Sequence, residues 1–107
     1  MLPDNRPPTH PGEILLREFL QPLGMSQITL AGKLRVPVQR INTLIRGKRD
    51  VTPETALLLS RFFGTSAEVW MNLQAAWDLW HARRKMAGAI KAVKPAVRDS
   101  AEIDAGR

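Results

Sequence analysis

The sequence predicts an all-α fold, a five-helix bundle, on three observations. Apolar residues recur at spacings of three and four along successive segments, Pro and Gly punctuate the joins between those segments, and no stretch alternates apolar with polar as a strand would. The 107 residues leave room for one domain, whose core is small but sufficient if most apolar positions are buried. Its expected limits are 11–87, with a flexible arm over 1–10 and a flexible basic tail over 88–107.

Pro3, Pro7 and Pro8 fall in the first ten residues without hydrophobic periodicity, which reads as an extended arm. Pro11 then suits a helix's first turn, where its missing N–H costs nothing, and Glu13 suits the positive helix end. Ile14, Leu15, Phe19, Leu20 and Leu23 form the stripe of this first helix, closed by Pro22 and Gly24. Ser26 caps the second, whose inner side is expected to hold Ile28, Leu30, Ala31 and Leu34 and which ends before Pro37. The third spans about Val38 to Arg46, with Ile41, Leu44 and Ile45 inward and Gly47 where a left-handed C-cap is needed. Thr52 and Pro53 start the fourth, with a stripe of Ala56, Leu57, Leu59, Phe62 and Phe63 before Gly64. Ser66 opens the fifth, which runs to about Lys85, where Arg83, Arg84 and Lys85 complement the negative helix end. Beyond Gly88, small and charged residues mix without an apolar face.

Charge is confined as sharply as structure is. The chain carries 16 basic and 10 acidic side chains, and the block 26–49 contains Lys33, Arg35, Arg40, Arg46, Lys48 and Arg49 with no carboxylate. Those six cations equal the net charge of +6, so the remainder is neutral. A solvated surface normally mixes both signs; a bare cationic block suggests a surface for a polyanion. The same block is written as two short helices joined by a tight turn, the geometry that sets a helix in the major groove of DNA.

Composition also excludes. Without cysteine there is no disulfide framework, thiolate zinc site or Cys nucleophile. His10 and His81 lie far apart and lack a cluster of acidic or imidazole neighbours, so capping or surface roles are expected and no metal or cofactor is. There is no glycine-rich phosphate loop, catalytic triad or carboxylate pair, which argues against an enzyme. No apolar run approaches the roughly 20 residues that span a bilayer, and the N-terminus lacks a signal peptide's apolar stretch, so a soluble cytoplasmic protein is expected.

Residues 10–80 carry a further pattern: His10-Pro11-Gly12-Glu13, then Arg40-Ile41-Asn42 with Gly47-Lys48-Arg49, then Trp70-Met71-Asn72-Leu73-Gln74. On these motifs the sequence resembles the HigA-type antitoxins of type II toxin-antitoxin systems, a branch of the Xre/Cro helix-turn-helix family. The resemblance implies a lambda-repressor-like five-helix domain that dimerises, represses its own operon and neutralises a toxin similar to the RelE/HigB mRNA endonucleases. The toxin follows from the likeness alone. A stand-alone Xre-type repressor with no toxin partner, and an RNA-binding or scaffold role, stay open on the residues themselves.

A helix-turn-helix assigns roles along the block. Gln27, at the start of the second helix, is placed to hold a phosphate. The third helix enters the groove N-terminus first, which makes Val38, Gln39, Arg40 and Thr43 the base-contact candidates; Gln39 can pair with adenine and Arg40 with guanine. Related readers often carry polar residues at the first exposed positions, where this chain has Pro37 and Val38, suited to a thymine methyl or to reading DNA shape. Lys33, Arg35, Arg46, Lys48 and Arg49 are assigned to phosphates. Trp70, Leu73, Trp77 and Trp80 recur at three and four on the fifth helix; Trp70 is expected in the core, Trp77 and Trp80 in a homodimer or toxin interface. The operator of a two-fold dimer would be an imperfect palindrome of double-stranded DNA.

Overall fold

In the computed structural model, which describes residues 6–96, the first helix, α1 (residues 11–23), starts at His10, whose backbone stays extended while its side chain accepts the Gly12 N–H. Pro11 occupies the first turn and Glu13 follows. The middle of α1, Leu15–Leu20, is a π-helical segment, so that Gln21 N–H reaches back to Leu16 C=O. Pro22 accounts for this: its ring presses on the carbonyl four residues earlier and it has no N–H to return, and a wider turn relieves both. Gly24, at φ 63°, closes the helix.

Helix α2 (Gln27–Leu34) is capped by Ser26, which accepts from Thr29 N–H at 3.0 Å. Its last turn ends on Arg35, at φ 61°, a left-handed conformation held by a non-glycine residue. Such a conformation costs on the order of 1 kcal/mol. Here the tight turn into α3 (Val38–Ile45) requires it, with Val36 N–H closing onto Ala31 C=O at 3.0 Å. Helix α4 (Pro53–Phe63) is capped by Thr52 and ended by Gly64, and α5 (Ala67–Lys85) is capped by Ser66 with Arg83, Arg84 and Lys85 in its last turn.

The core draws on every one of these helices. Leu15, Leu30, Ile41, Leu44, Leu59 and Trp70 are its largest members, and each such burial contributes about 1.5–3 kcal/mol. Helix α2 packs chiefly on α3, α4 on α5, and the first turn of α1 lies against α3. Trp70, expected inside, is buried and donates its indole N–H to Thr65 Oγ1 at 2.8 Å. Phe19 and Phe63 lie against one another, and Phe19 also against Trp70.

Three apolar assignments made from the sequence are corrected. Ile28 and Leu57, placed inward, are 73% and 60% exposed, and Leu23 is exposed as well. At 3.6 residues per turn Ile28 lies about 160° around α2 from Leu30, and Leu57 lies on the face of α4 opposite Leu59. Membership of an apolar run is no substitute for angle, and the small polar Thr55 takes the buried place instead. The described chain also has a sixth helix, α6 (Ala87–Ala92), where a flexible tail was expected; it is exposed throughout. Residues 1–5 of the expected arm and 97–107 of the expected tail lie outside the described residues.

Candidate nucleic-acid interface

Helix α3 turns Ile41 and Leu44 into the core, which by helical angle leaves Gln39, Thr43 and Arg46 along the centre of the outer face. Gln39 is exposed, and Val38, the first helical residue, is 44% exposed. Neither is folded inward or covered. Asn42 flanks this row on the α2 side and Arg40 on the α4 side.

Hydrogen bonds organise both flanks. Asn42 donates from Nδ2 to Gln27 Oε1 at 3.2 Å, so the first side chain of α2 is tied to the middle of α3. Arg46 Nη1 donates to Asn42 Oδ1 at 3.1 Å, which extends the tie to the end of α3. Thr43 donates its hydroxyl to Gln39 C=O at 2.8 Å and accepts from Arg49 Nε at 3.3 Å. That hydroxyl proton is occupied, so what Thr43 offers outward is its methyl group and an oxygen shared with Arg49. Arg40 is half-buried in a cleft of about 250 Å³ with Arg49, Thr52, Glu54 and Thr55. Lys48 is exposed in the loop after α3, and Lys33 and Arg35 are exposed at the far end of α2 from Gln27. Gln27, Asn42 and Arg46 therefore form one bonded group on one flank of Gln39, and Arg40, Thr43 and Arg49 a second on the other, whereas Lys33 and Arg35 stand outside both.

The charge is free as well as clustered. Among the described residues the one ion pair within 4.0 Å is Arg17 with Glu13 at 3.1 Å, on α1. None of the six cations of 26–49 is paired with a carboxylate there. Cations without carboxylate partners on a helix face form a positive surface open to phosphate.

Two supports for this face were not found from the sequence. Gln74 on α5, only 4% exposed, accepts the Val51 N–H at 2.7 Å and donates to Asp50 Oδ1 and Asp78 Oδ1, anchoring the loop that carries Lys48 and Arg49. Its position, four residues after Trp70 on the inward side of α5, was the available signal. Gln74→Leu leaves the Val51 N–H buried without an acceptor, at about 1–3 kcal/mol. Circular dichroism should show melting lowered by roughly 4–8 °C per kcal/mol, and hydrogen exchange should show Val51 unprotected. The second support is Gly12: a Cβ there would meet Leu44 O at 1.9 Å, so the first turn of α1 touches the backbone of the last turn of α3.

Trp77 and Trp80, assigned to an interface, are both half-buried within the protomer. Trp77 meets His10 edge-on at 4.9 Å and His81 at a tilt at 4.2 Å, while Arg84 lies 4.6 Å over the Trp80 ring. Among the described residues no helix is long and apolar enough to cross a membrane, and no three His, Asp or Glu side chains are grouped to hold a metal ion.

The helix-turn-helix family model HTH_3 matches residues 16–70, from the π segment of α1 through Trp70. Virulence-associated protein I of Dichelobacter nodosus is 41% identical over 98 residues, covering 92% of this chain and 90% of that protein. Antitoxin HigA-1 of Vibrio cholerae is 37% identical over 90 residues, covering 84% and 85%. Among solved structures, Pseudomonas aeruginosa antitoxin HigA with the higBA promoter superposes at a TM-score of 0.81, with 37% identity over 84% of this chain and 99% of that one.

Proposed function

The chain belongs to the Xre-like helix-turn-helix family, in the branch that includes the HigA antitoxins, and from that membership we propose that it is a DNA-binding antitoxin that represses its own operon and neutralises a RelE/HigB-like endonuclease toxin. Its relatives include an HTH-type transcriptional regulator and an antitoxin, neither of them an enzyme by name. The observation that carries the proposal is the outer face of α3: Gln39 exposed at its centre, Arg40, Arg46, Lys48 and Arg49 beside it with no carboxylate paired to them among the described residues, and side-chain bonds that tie both flanks.

In this reading Gln39 and Arg40 pair with base edges, Val38 and the Thr43 methyl meet thymine methyls, and Gln27, Lys33, Arg35, Arg46, Lys48 and Arg49 hold phosphates. One such helix makes too few contacts for a specific operator, so two chains join and set their α3 helices about 34 Å apart on an imperfect palindrome. The exposed parts of Trp77 and Trp80 supply the apolar seam for a second copy or for the toxin. Either seat lies on α5, off the outer face of α3, so a toxin-bound complex still reads DNA. Such a complex works in the bacterial cytoplasm, at the nucleoid.

The test is co-expression with the neighbouring genes, followed by asking what co-purifies and which promoter fragment is protected. A small basic RelE-like protein held at fixed stoichiometry and a protected palindrome in the chain's own promoter are the expected results. A chain that protects its promoter and retains no neighbour is a stand-alone repressor, and one displaced more readily by RNA than by promoter duplex is not an operator binder. The affinity should also respond steeply to salt. A dimer that neutralises about 6–10 phosphates loses about 10³–10⁵ in affinity between about 50 and 200 mM salt, and a nearly flat response in a fluorescence anisotropy titration contradicts the phosphate assignments.

A further inference from the structure

His10 does more than start a helix. It is 6% exposed, its Nδ1 accepts the Gly12 N–H at 2.9 Å, and its Nε2 is buried without a hydrogen-bond partner. Accepting at Nδ1 requires a neutral ring with its proton on Nε2. Around that ring the end of α3 is assembled. Gly12, fixed by the bond from His10, abuts the Leu44 carbonyl, and a side chain at Gly47, which sits at φ 74°, would come within 3.9 Å of the ring. His10 and Trp77 also line one cleft of about 450 Å³ with Ile45, Arg46 and Gly47, the last residue of α3 and the two that follow it. The end of the proposed reading helix thus rests on one imidazole and on the glycine which that imidazole holds.

We infer that His10 is a positioning residue for α3, and that a proton on its ring releases the end of that helix and weakens operator binding as the solution is acidified. The inference rests on the DNA-binding reading above for its functional consequence, though not for the structural one. Protonation puts an N–H on Nδ1, donor facing the donor of Gly12, and places a charge where Nε2 has no acceptor. The cap is lost, and Gly12 is freed from Leu44.

The groups facing the ring act in both directions. Asp50 in the loop after α3, Asp78 on α5 and Glu13 on α1 favour the charged ring; Arg46, at the end of α3, is the cation that lines the same cleft. All three carboxylates are already engaged, Glu13 by Arg17 and the two aspartates by Gln74. His81 on α5, tilted against Trp77, is the chain's second imidazole. Burial prevails: desolvation holds the His10 pKa below its ordinary 6.5, with Asp50, Asp78 and Glu13 pulling partly back. The folded chain therefore takes up this proton less readily than the unfolded chain. Stability present above pH 6.5 is lost as pH falls from there through the lower folded value.

The experiment follows wild type, His10→Asn and His81→Gln from pH 8.0 to 5.0 at constant ionic strength, by anisotropy with a labelled duplex of the chain's own promoter and by thermal denaturation. Wild-type and His81→Gln affinity should fall about five- to tenfold on acidification, the scale of a lost N-cap bond, while His10→Asn, which caps through an amide that does not titrate, stays level. An NMR titration of the wild type should give a His10 midpoint below 6.5, with the amides of Gly12, Leu44 and Gly47 moving at that midpoint. A level wild-type profile, an equal slope in His10→Asn, or amides of α3 that ignore the His10 midpoint would each overturn the inference. If no duplex binds at any pH, the functional reading has failed and the melting curves alone judge the lock: a melting temperature that falls with pH in wild type but not in His10→Asn upholds it, and parallel curves reject it. Should His10→Asn not fold, the wild-type NMR titration decides.

Discussion

Gly12→Ala should cost the protein most of its stability. The added methyl would sit 1.9 Å from Leu44 O, 2.7 Å from Leu44 C and 3.0 Å from Ile45 Cα, all backbone atoms that no rotamer change can move aside. Helix propensity acts the other way, because alanine is better than glycine in a helix by about 1 kcal/mol. The clash outweighs that gain: overpacking with movable side chains costs about 1–3 kcal/mol, and here α1 must shift bodily from α3. A net loss above about 3 kcal/mol is expected, read as a melting temperature lower by more than roughly 12 °C or as no cooperative transition at all. Gly32→Ala is the matched control. Its methyl would meet nothing within 4 Å on the exposed side of α2, so the same substitution should there raise stability by about 0.5–1 kcal/mol. Equal melting of the two variants would show that α1 and α3 are not in backbone contact.

This pair of glycines also marks what a sequence can and cannot disclose. Elements whose cause is local were legible: the caps at Ser26, Thr52 and Ser66, the left-handed ends at Gly24, Gly47 and Gly64, and the basic last turn of α5 all stand where residue type requires them. The cationic block was legible because charge adds without regard to fold. Close approach was not, since nothing beside Gly12 in the chain announces that Leu44, thirty-two positions on, will press against it. Gln74 was hidden for the same reason: its partners, Val51 and Asp50, are more than twenty residues away. His10 reads as a cap and is one, but its burial under Trp77 depends on where α5 crosses α1, which no local pattern encodes. Ile28 and Leu57 failed for a different reason, being counted by hydrophobicity where helical angle decides.

Gln39→Ala and Arg40→Ala should separate sequence reading from attraction. Gln39 stands at the centre of the outer face of α3, so its loss removes the proposed bidentate base contact and leaves the side-chain bonds among Gln27, Asn42 and Arg46 intact. To reach a base, Arg40 must swing out of the cleft it shares with Arg49, Thr52 and Glu54, and its loss removes both the proposed base contact and a charge. Each variant should weaken operator binding by about 1–3 kcal/mol, roughly five- to a hundredfold, and relax preference at a base position of its own. Lys48→Ala, in contrast, should weaken every duplex alike and lower the slope of log affinity against log salt by about one. Footprints and salt titrations on single-base operator variants measure all three. Co-purification of a partner protein should survive each substitution, since none lies on α5. If Gln39→Ala instead weakens all sequences uniformly, the outer face of α3 holds DNA without reading it, and recognition must pass through groove shape at Pro37 and Val38.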